Sequence, residues 1–148
     1  MENRWNPEGV LARALRTVLV AVLLPLAGCA TAYQPERATG GYTDFRLAPN
    51  TYRVRFRGNN YTPRDKVEIF LLYRCAQLTE QLGYEHFVLL SEDTLDISDP
   101  FAQAGIFPRN YYATALIEVI DDRAHPAAYD AKELMRQLRA QYPHELGS

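Results

Sequence analysis

Between Thr51 and Arg57 the chain reads TYRVRFR, with Tyr52, Val54 and Phe56 alternating without exception with Arg53, Arg55 and Arg57. Successive side chains of a strand point to opposite faces, so a strict period of two predicts a β-strand with one face buried and one in water. A half-buried strand needs an apolar layer to cover it, and that requirement organises the rest of the chain. "APN" at 48–50 is turn chemistry, which makes Tyr42–Leu47 a shorter partner strand in a hairpin, and Gly58-Asn59 ends the second strand.

The covering layer follows directly. In "YTPRDKVEIFLLYRCAQLTEQLGY", Val67, Phe70, Leu71, Cys75, Leu78 and Leu82 recur at three- and four-residue spacing and form one core-facing helical stripe. Thr62 suits the N-cap and Pro63 the first helical position. Asp65, three residues after Thr62, completes a capping-box pattern, and Gly83 suits the C-terminal cap. Residues 84–91 read as a strand, as do 111–120, where Tyr111, Ala113, Ala115, Ile117 and Val119 share a face. The stretch between them is a long loop, of a length that is usually functional or mobile. Asp130 and Glu133 repeat the capping-box spacing, and Leu134, Met135 and Leu138 mark a short amphipathic helix. The order strand, strand, helix, strand, strand, helix predicts one α+β domain over 42–142: a small, mostly antiparallel sheet with two helices packed on one face. Residues 143–148 read as a disordered tail.

At 148 residues, 47% hydrophobic and 23% charged, the chain fits one domain plus an extra segment. That segment is N-terminal. Arg4, Arg13 and Arg16 precede the uncharged run Thr17–Leu26, a basic region followed by an apolar one, as in a signal peptide spanning 1–28. The run is too short to cross a hydrocarbon core, which takes about 20 helical residues. Leu26-Ala27-Gly28-Cys29 resembles the lipobox of bacterial lipoproteins. The resemblance implies cleavage before Cys29, acylation of its thiol and amine, and a mature chain held to a membrane by that anchor. Each buried methylene contributes about 0.8 kcal/mol, so two or three acyl chains hold firmly where one does not. With Ala30 rather than Asp following the cysteine, resemblance to enterobacterial lipoproteins implies the periplasmic face of the outer membrane. "ATAYQPERATGG" at 30–41 reads as polar and aperiodic, so 29–41 is expected to be a lipidated N-terminus and flexible tether. An acylated Cys29 leaves Cys75 without an intramolecular disulfide partner.

Charge and motifs narrow the function. Removing 1–28 takes away three arginines and two glutamates, leaving 13 basic against 16 acidic residues. A domain of that balance is not a nucleic-acid binder through bulk electrostatics. The concentrated positive feature is the ladder Arg53, Arg55 and Arg57. It suits phosphate, lipopolysaccharide or an acidic partner; equally, such a ladder serves as a solvated face paired to cross-strand acids or as a guard against edge-to-edge aggregation. Glu92, Asp93, Asp96 and Asp99 lack the two-residue steps and the glycine of an EF-hand and read as a solvated acidic loop. His86, His125 and His144 lie on different elements without metal spacing. Cys75, in the apolar stripe, reads as a small core hydrophobe. No phosphate loop, nucleophile elbow or metalloprotease helix occurs. Asn60-Tyr61-Thr62 matches a glycosylation sequon, but helix capping accounts better for Thr62.

Taken together, "GYTDFRLAPNTYRVRFRGNNYT", "LLYRCAQLTEQLGYEHFVLL" and "AAYDAKELM" resemble a family of small proteobacterial lipoproteins of unassigned molecular function. The shared pattern is a strand ending in F-x-G-N (Phe56, Gly58, Asn59), then R-[AC]-A-E-L-T (Arg74, Cys75, Ala76, Leu78, Thr79), then G-Y-x-x-F. Gln77 stands where the family pattern has Glu, which speaks against an essential carboxylate there. The resemblance implies a localisation and a domain type, and no reaction. The expectation is a non-enzymatic envelope lipoprotein with no cofactor and no metal, whose domain binds another envelope protein or stabilises an assembly. The alternative is a periplasmic module that binds a small ligand or ion through the 91–110 loop.

Overall fold

The computed structural model describes residues 29–96, 110–121 and 125–147. In chain order the elements are β1 (Gly41–Arg46), β2 (Thr51–Arg57), α1 (Arg64–Gln81), β3 (His86–Asp96), β4 (Tyr111–Ile120), β5 (Ala128–Asp130), α2 (Ala131–Gln141) and α3 (Pro143–Leu146). The strands form one sheet in the order β1-β2-β4-β3-β5, and every neighbouring pair is antiparallel. β4 lies between β2 and β3, so those two run in the same direction and α1 is the crossover that joins them. The fold is the α+β class expected, with its helices on one side of an antiparallel sheet.

The alternating residues of β2 behave as their pattern demands. Val54 and Phe56 are fully buried and Tyr52 nearly so, while Arg53 is exposed. Ala113, Ala115, Ile117 and Val119 of β4 bury on the same side, against Val67, Phe70, Leu71 and Cys75 of α1. The small alanines of β4 let α1 approach the middle of the sheet, where Phe56 and Phe70 meet edge to face at 5.1 Å. α2 runs back along α1, adding Ala131 and Met135 to the core, and Arg139 donates to the Tyr73 hydroxyl at 2.7 Å.

The helix ends divide. At the C-terminus of α1, Gly83 has φ +86°, its N–H reaches the Glu80 carbonyl and that of Tyr84 reaches the Thr79 carbonyl, the paired bonds of a Schellman cap. Asp130 caps α2, accepting from the Glu133 N–H at 3.0 Å. The expected Thr62 cap of α1 is absent: Pro63 occupies the cap position and no side chain bonds to the first turn. Thr62 is committed elsewhere.

Four expected boundaries change. β3 runs through Asp96, past the residues expected to open the loop, because β4 offers ten residues of backbone whose groups need partners. A bulge between Leu89 and Ser91 shifts its register and breaks the period that would have announced the longer strand. β5 is a three-residue edge strand, too short for any periodicity to reveal. Residues 31–41 are not a free tether: Thr31 is buried, Pro35 bridges to Tyr42, and Arg37 and Gly40 close a tight turn. The tail expected to be disordered contains α3, held by a Lys66–Glu145 ion pair at 3.1 Å and by Leu146 against the core.

Candidate functional site

The open face of the sheet carries the arginine ladder. Register places Arg53 between Phe45 and Leu116, Arg55 between Thr43 and Thr114, and Arg57 between Gly41 and Tyr112. The three side chains share a face but not a fate. Arg57 is tied down, its Nε donating to Glu36 at 2.8 Å and its Nη2 to the Arg37 carbonyl at 2.8 Å. The Arg55 guanidinium lies 5.0 Å from the Phe45 ring centre and 5.8 Å from that of Tyr112, and its buried Nε has no hydrogen-bond partner. Arg53 is exposed, with no hydrogen bond or ion pair among the described residues. Ring faces on two sides orient the Arg55 fork before anything binds, which reduces the entropy lost on pairing with a carboxylate or phosphate. Phe45, 46% exposed, gives the same patch an apolar edge.

A second constellation gathers the N-terminal arm at the end of β2. The buried Thr62 hydroxyl accepts from the Thr31 N–H at 2.8 Å and donates to Asn59 Oδ1 at 2.9 Å. The Thr31 hydroxyl donates to the Thr39 carbonyl at 2.6 Å and accepts from the Asn59 N–H at 2.9 Å. Asn59 Nδ2 donates to the Cys29 carbonyl, also at 2.9 Å, which leaves the Cys29 side chain exposed beside the 58–62 loop. Glycine makes this packing feasible. A Cβ on Gly40, at φ +105°, would collide with the Arg57 carbonyl, and one on Gly58 would come within 2.8 Å of Val67 Cγ2.

The arm also closes a polar network inside the fold. Arg74 of α1 forms a forked pair with Asp44 of β1, stacks 4.2 Å from the Tyr42 ring centre and donates to Gln77 Oε1, which in turn accepts from the Tyr33 hydroxyl at 2.7 Å. Desolvation works against the Arg74 charge, yet the hydrogen bond and charge of Asp44 raise its pKa. Burial pushes the Tyr33 hydroxyl and the Cys75 thiol well up, so both remain protonated and inert at neutral pH. Gln77 accepts two hydrogen bonds here, a structural task that requires no carboxylate.

The remaining candidates are not brought together. Glu92 and Asp93 line a depression of about 360 Å³ with Arg64 and Glu68. Desolvation and then the Glu68 charge raise the Glu92 pKa. Asp96 ends β3, and Asp99, with the 97–109 part of the proposed ligand loop, lies outside the described residues. His86 is buried on β3, His125 Nδ1 accepts from the Ala127 N–H and His144 belongs to α3. Among the described residues no group of three His, Cys, Asp or Glu side chains could hold a metal, and no helix is long and apolar enough to cross a membrane. The signal-peptide reading falls on residues 1–28, outside the described residues.

No family model matches the chain, and no curated protein or solved structure is similar to it. Sequence reasoning missed Phe45 and Tyr112 as partners of Arg55. The signal that could have found Phe45 is the register implied by the 48–50 turn, which sets it opposite Arg53, whereas Tyr112 arrives through the β2–β4 pairing, which no local pattern announces. Thr31 and Tyr33 gave no such signal, because their partners lie 31 and 44 residues away.

Proposed function

We propose that this chain is a non-enzymatic bacterial envelope lipoprotein, held at the periplasmic face of the outer membrane through an acylated Cys29. On this reading its domain docks an acidic segment of another envelope protein on the open face of the sheet. The observation that carries the docking role is the pairing of an unengaged Arg53 with an Arg55 clamped between Phe45 and Tyr112 on a face that no described helix covers. A guanidinium preset in orientation, beside an exposed aromatic ring, is the composition found at energetically dominant positions of protein interfaces. Arg57 belongs to the fold rather than to the patch, since Glu36 and the Arg37 carbonyl already satisfy it.

The test is affinity capture from detergent-solubilised envelopes with native protein and with an Arg53→Ala/Arg55→Ala double variant, Arg57 being retained so that the arm stays docked. The expected result is a specific partner captured by the native protein and lost with the double variant. Capture at equal yield by both would remove the patch from the function. The anchor is tested separately: Cys29→Ser should abolish labelling by a palmitate analogue and leave the chain unprocessed, whereas normal labelling would exclude lipidation at Cys29.

A further inference from the structure

We infer that the pole of the domain formed by Asn59, Asn60, Tyr61, Pro63 and Tyr111 rests on the lipid surface, with the docked N-terminal arm fixing the domain's orientation there. This inference rests on the reading of Cys29 as the lipid-bearing residue. It goes beyond that reading by specifying which surface meets the bilayer and by replacing a swinging tether with a rigid mount.

The argument is one of reach. A free 12-residue segment over 30–41 could extend up to about 40 Å, far enough for any face of a small domain to turn toward the membrane. The arm is not free. Thr31 is 3% exposed and bonded through both its N–H and its hydroxyl, and Ala30 alone separates it from Cys29. Two peptide steps span at most about 7 Å, so a lipid on the Cys29 sulfur holds the glycerol backbone directly beside the 58–62 loop. Asn59 shortens the leash further by binding the Cys29 carbonyl itself.

The chemistry of the pole suits that position. Tyr61 is 60% exposed, the most exposed of the large apolar side chains among the described residues, and with Tyr111, Asn60, Thr62 and Pro63 it lines a shallow depression of about 400 Å³. Tyrosines with an apolar ring and a polar tip belong at the headgroup level of a bilayer, and Asn and Thr find partners there. The opposite pole supplies a built-in control. The β1–β2 turn carries Leu47, 49% exposed, at the far end of the seven-residue β2, about 20 Å away along the strand. Exposure of an apolar side chain alone would favour both poles; the docking of Cys29 selects one.

The experiment uses the full-length lipidated protein reconstituted into phosphatidylethanolamine–phosphatidylglycerol vesicles. Single cysteines, Tyr61→Cys in one protein and Leu47→Cys in another, receive an environment-sensitive fluorophore; Cys75 is buried, and an acylated Cys29 does not compete. Co-sedimentation with vesicles is read first, and quenching by lipids carrying a nitroxide near the headgroup second. The expected result is co-sedimentation of both proteins, a blue shift and loss of most emission at position 61, and little change at 47. Adding Asn59→Ala, which frees the Cys29 carbonyl, should reduce the difference between the two positions. Co-sedimentation with equal quenching at 61 and 47 overturns the fixed orientation while leaving the lipid anchor standing. Failure to co-sediment removes the anchor and the orientation together.

Discussion

Thr62 carries more of the fold than its position suggests. Its hydroxyl satisfies the Thr31 N–H and Asn59 Oδ1 inside a site that is 2% exposed. Thr62→Val keeps the shape but leaves the buried Thr31 N–H without its acceptor, while Asn59 Oδ1 keeps the Tyr61 N–H at 3.0 Å, so unfolding in urea should show a loss of about 1–3 kcal/mol. Asp65→Ala, which would matter as much if the two formed a capping box, should cost only the helix-dipole contribution of about 0.3–1 kcal/mol. The reverse ranking would restore the capping assignment. Gly40→Ala is the backbone counterpart: positive φ and the Arg57 carbonyl together exclude a Cβ. It should destabilise by more than about 1 kcal/mol and speed hydrogen exchange at the Thr31 amide. Exchange at Thr31 unchanged from the native rate would mean that the arm is held by other contacts.

Between elements, the Arg74–Asp44 pair joins α1 to β1, an edge strand of the sheet. The Arg74 side chain is 8% exposed and that of Asp44 19%. Removing one partner strands a largely desolvated charge. Arg74→Met should cost about 3 kcal/mol, the lower end for a buried pair because Asp44 still sees some water. Replacing both, as Arg74→Met/Asp44→Leu, should recover most of that loss in the same denaturation experiment, since two apolar groups leave no charge stranded. A double variant no more stable than Arg74→Met would point instead to the Gln77 and Tyr42 contacts of Arg74 as the stabilising ones. Tyr33 reinforces this joint from the arm, packing edge to face on Tyr73 at 4.9 Å and on Phe70 at 5.7 Å. Arm, edge strand and helix therefore stand or fall together.

For the molecule as a whole, alkaline pH is the informative variable. Burial raises the Cys75 thiol above its unfolded value, so its stabilising contribution is complete below about pH 8.5. It declines by about 1.4 kcal/mol per pH unit above that, as only the unfolded chain ionises. Tyr33, raised for the same reason, adds its own loss from about pH 10 upward. Cys75→Ala should lower stability near neutral pH but flatten the decline that begins near pH 8.5, so that the difference narrows as pH rises; an unchanged slope would mean that the thiol is not the group responsible. The alternation in β2, the apolar stripe of α1 and the Gly83 and Asp130 caps were legible in the sequence. Each is a local pattern in which the residue and its structural consequence lie within a few positions. That much determined the α+β class, the buried faces of β2 and β4 and the side of the sheet from which the arginines project. The pairing of β1, β2, β4, β3 and β5 was decided only in three dimensions, as were the bulge that hides the length of β3, the separation of Arg57 from Arg53 and Arg55, and the docking of residues 31–41. The physical reason is that a glycine pair followed by a hairpin reads locally as slack. The Thr31, Tyr33 and Gly40 contacts that turn it into a clamp are made with residues 17 to 44 positions away, where no periodicity carries information.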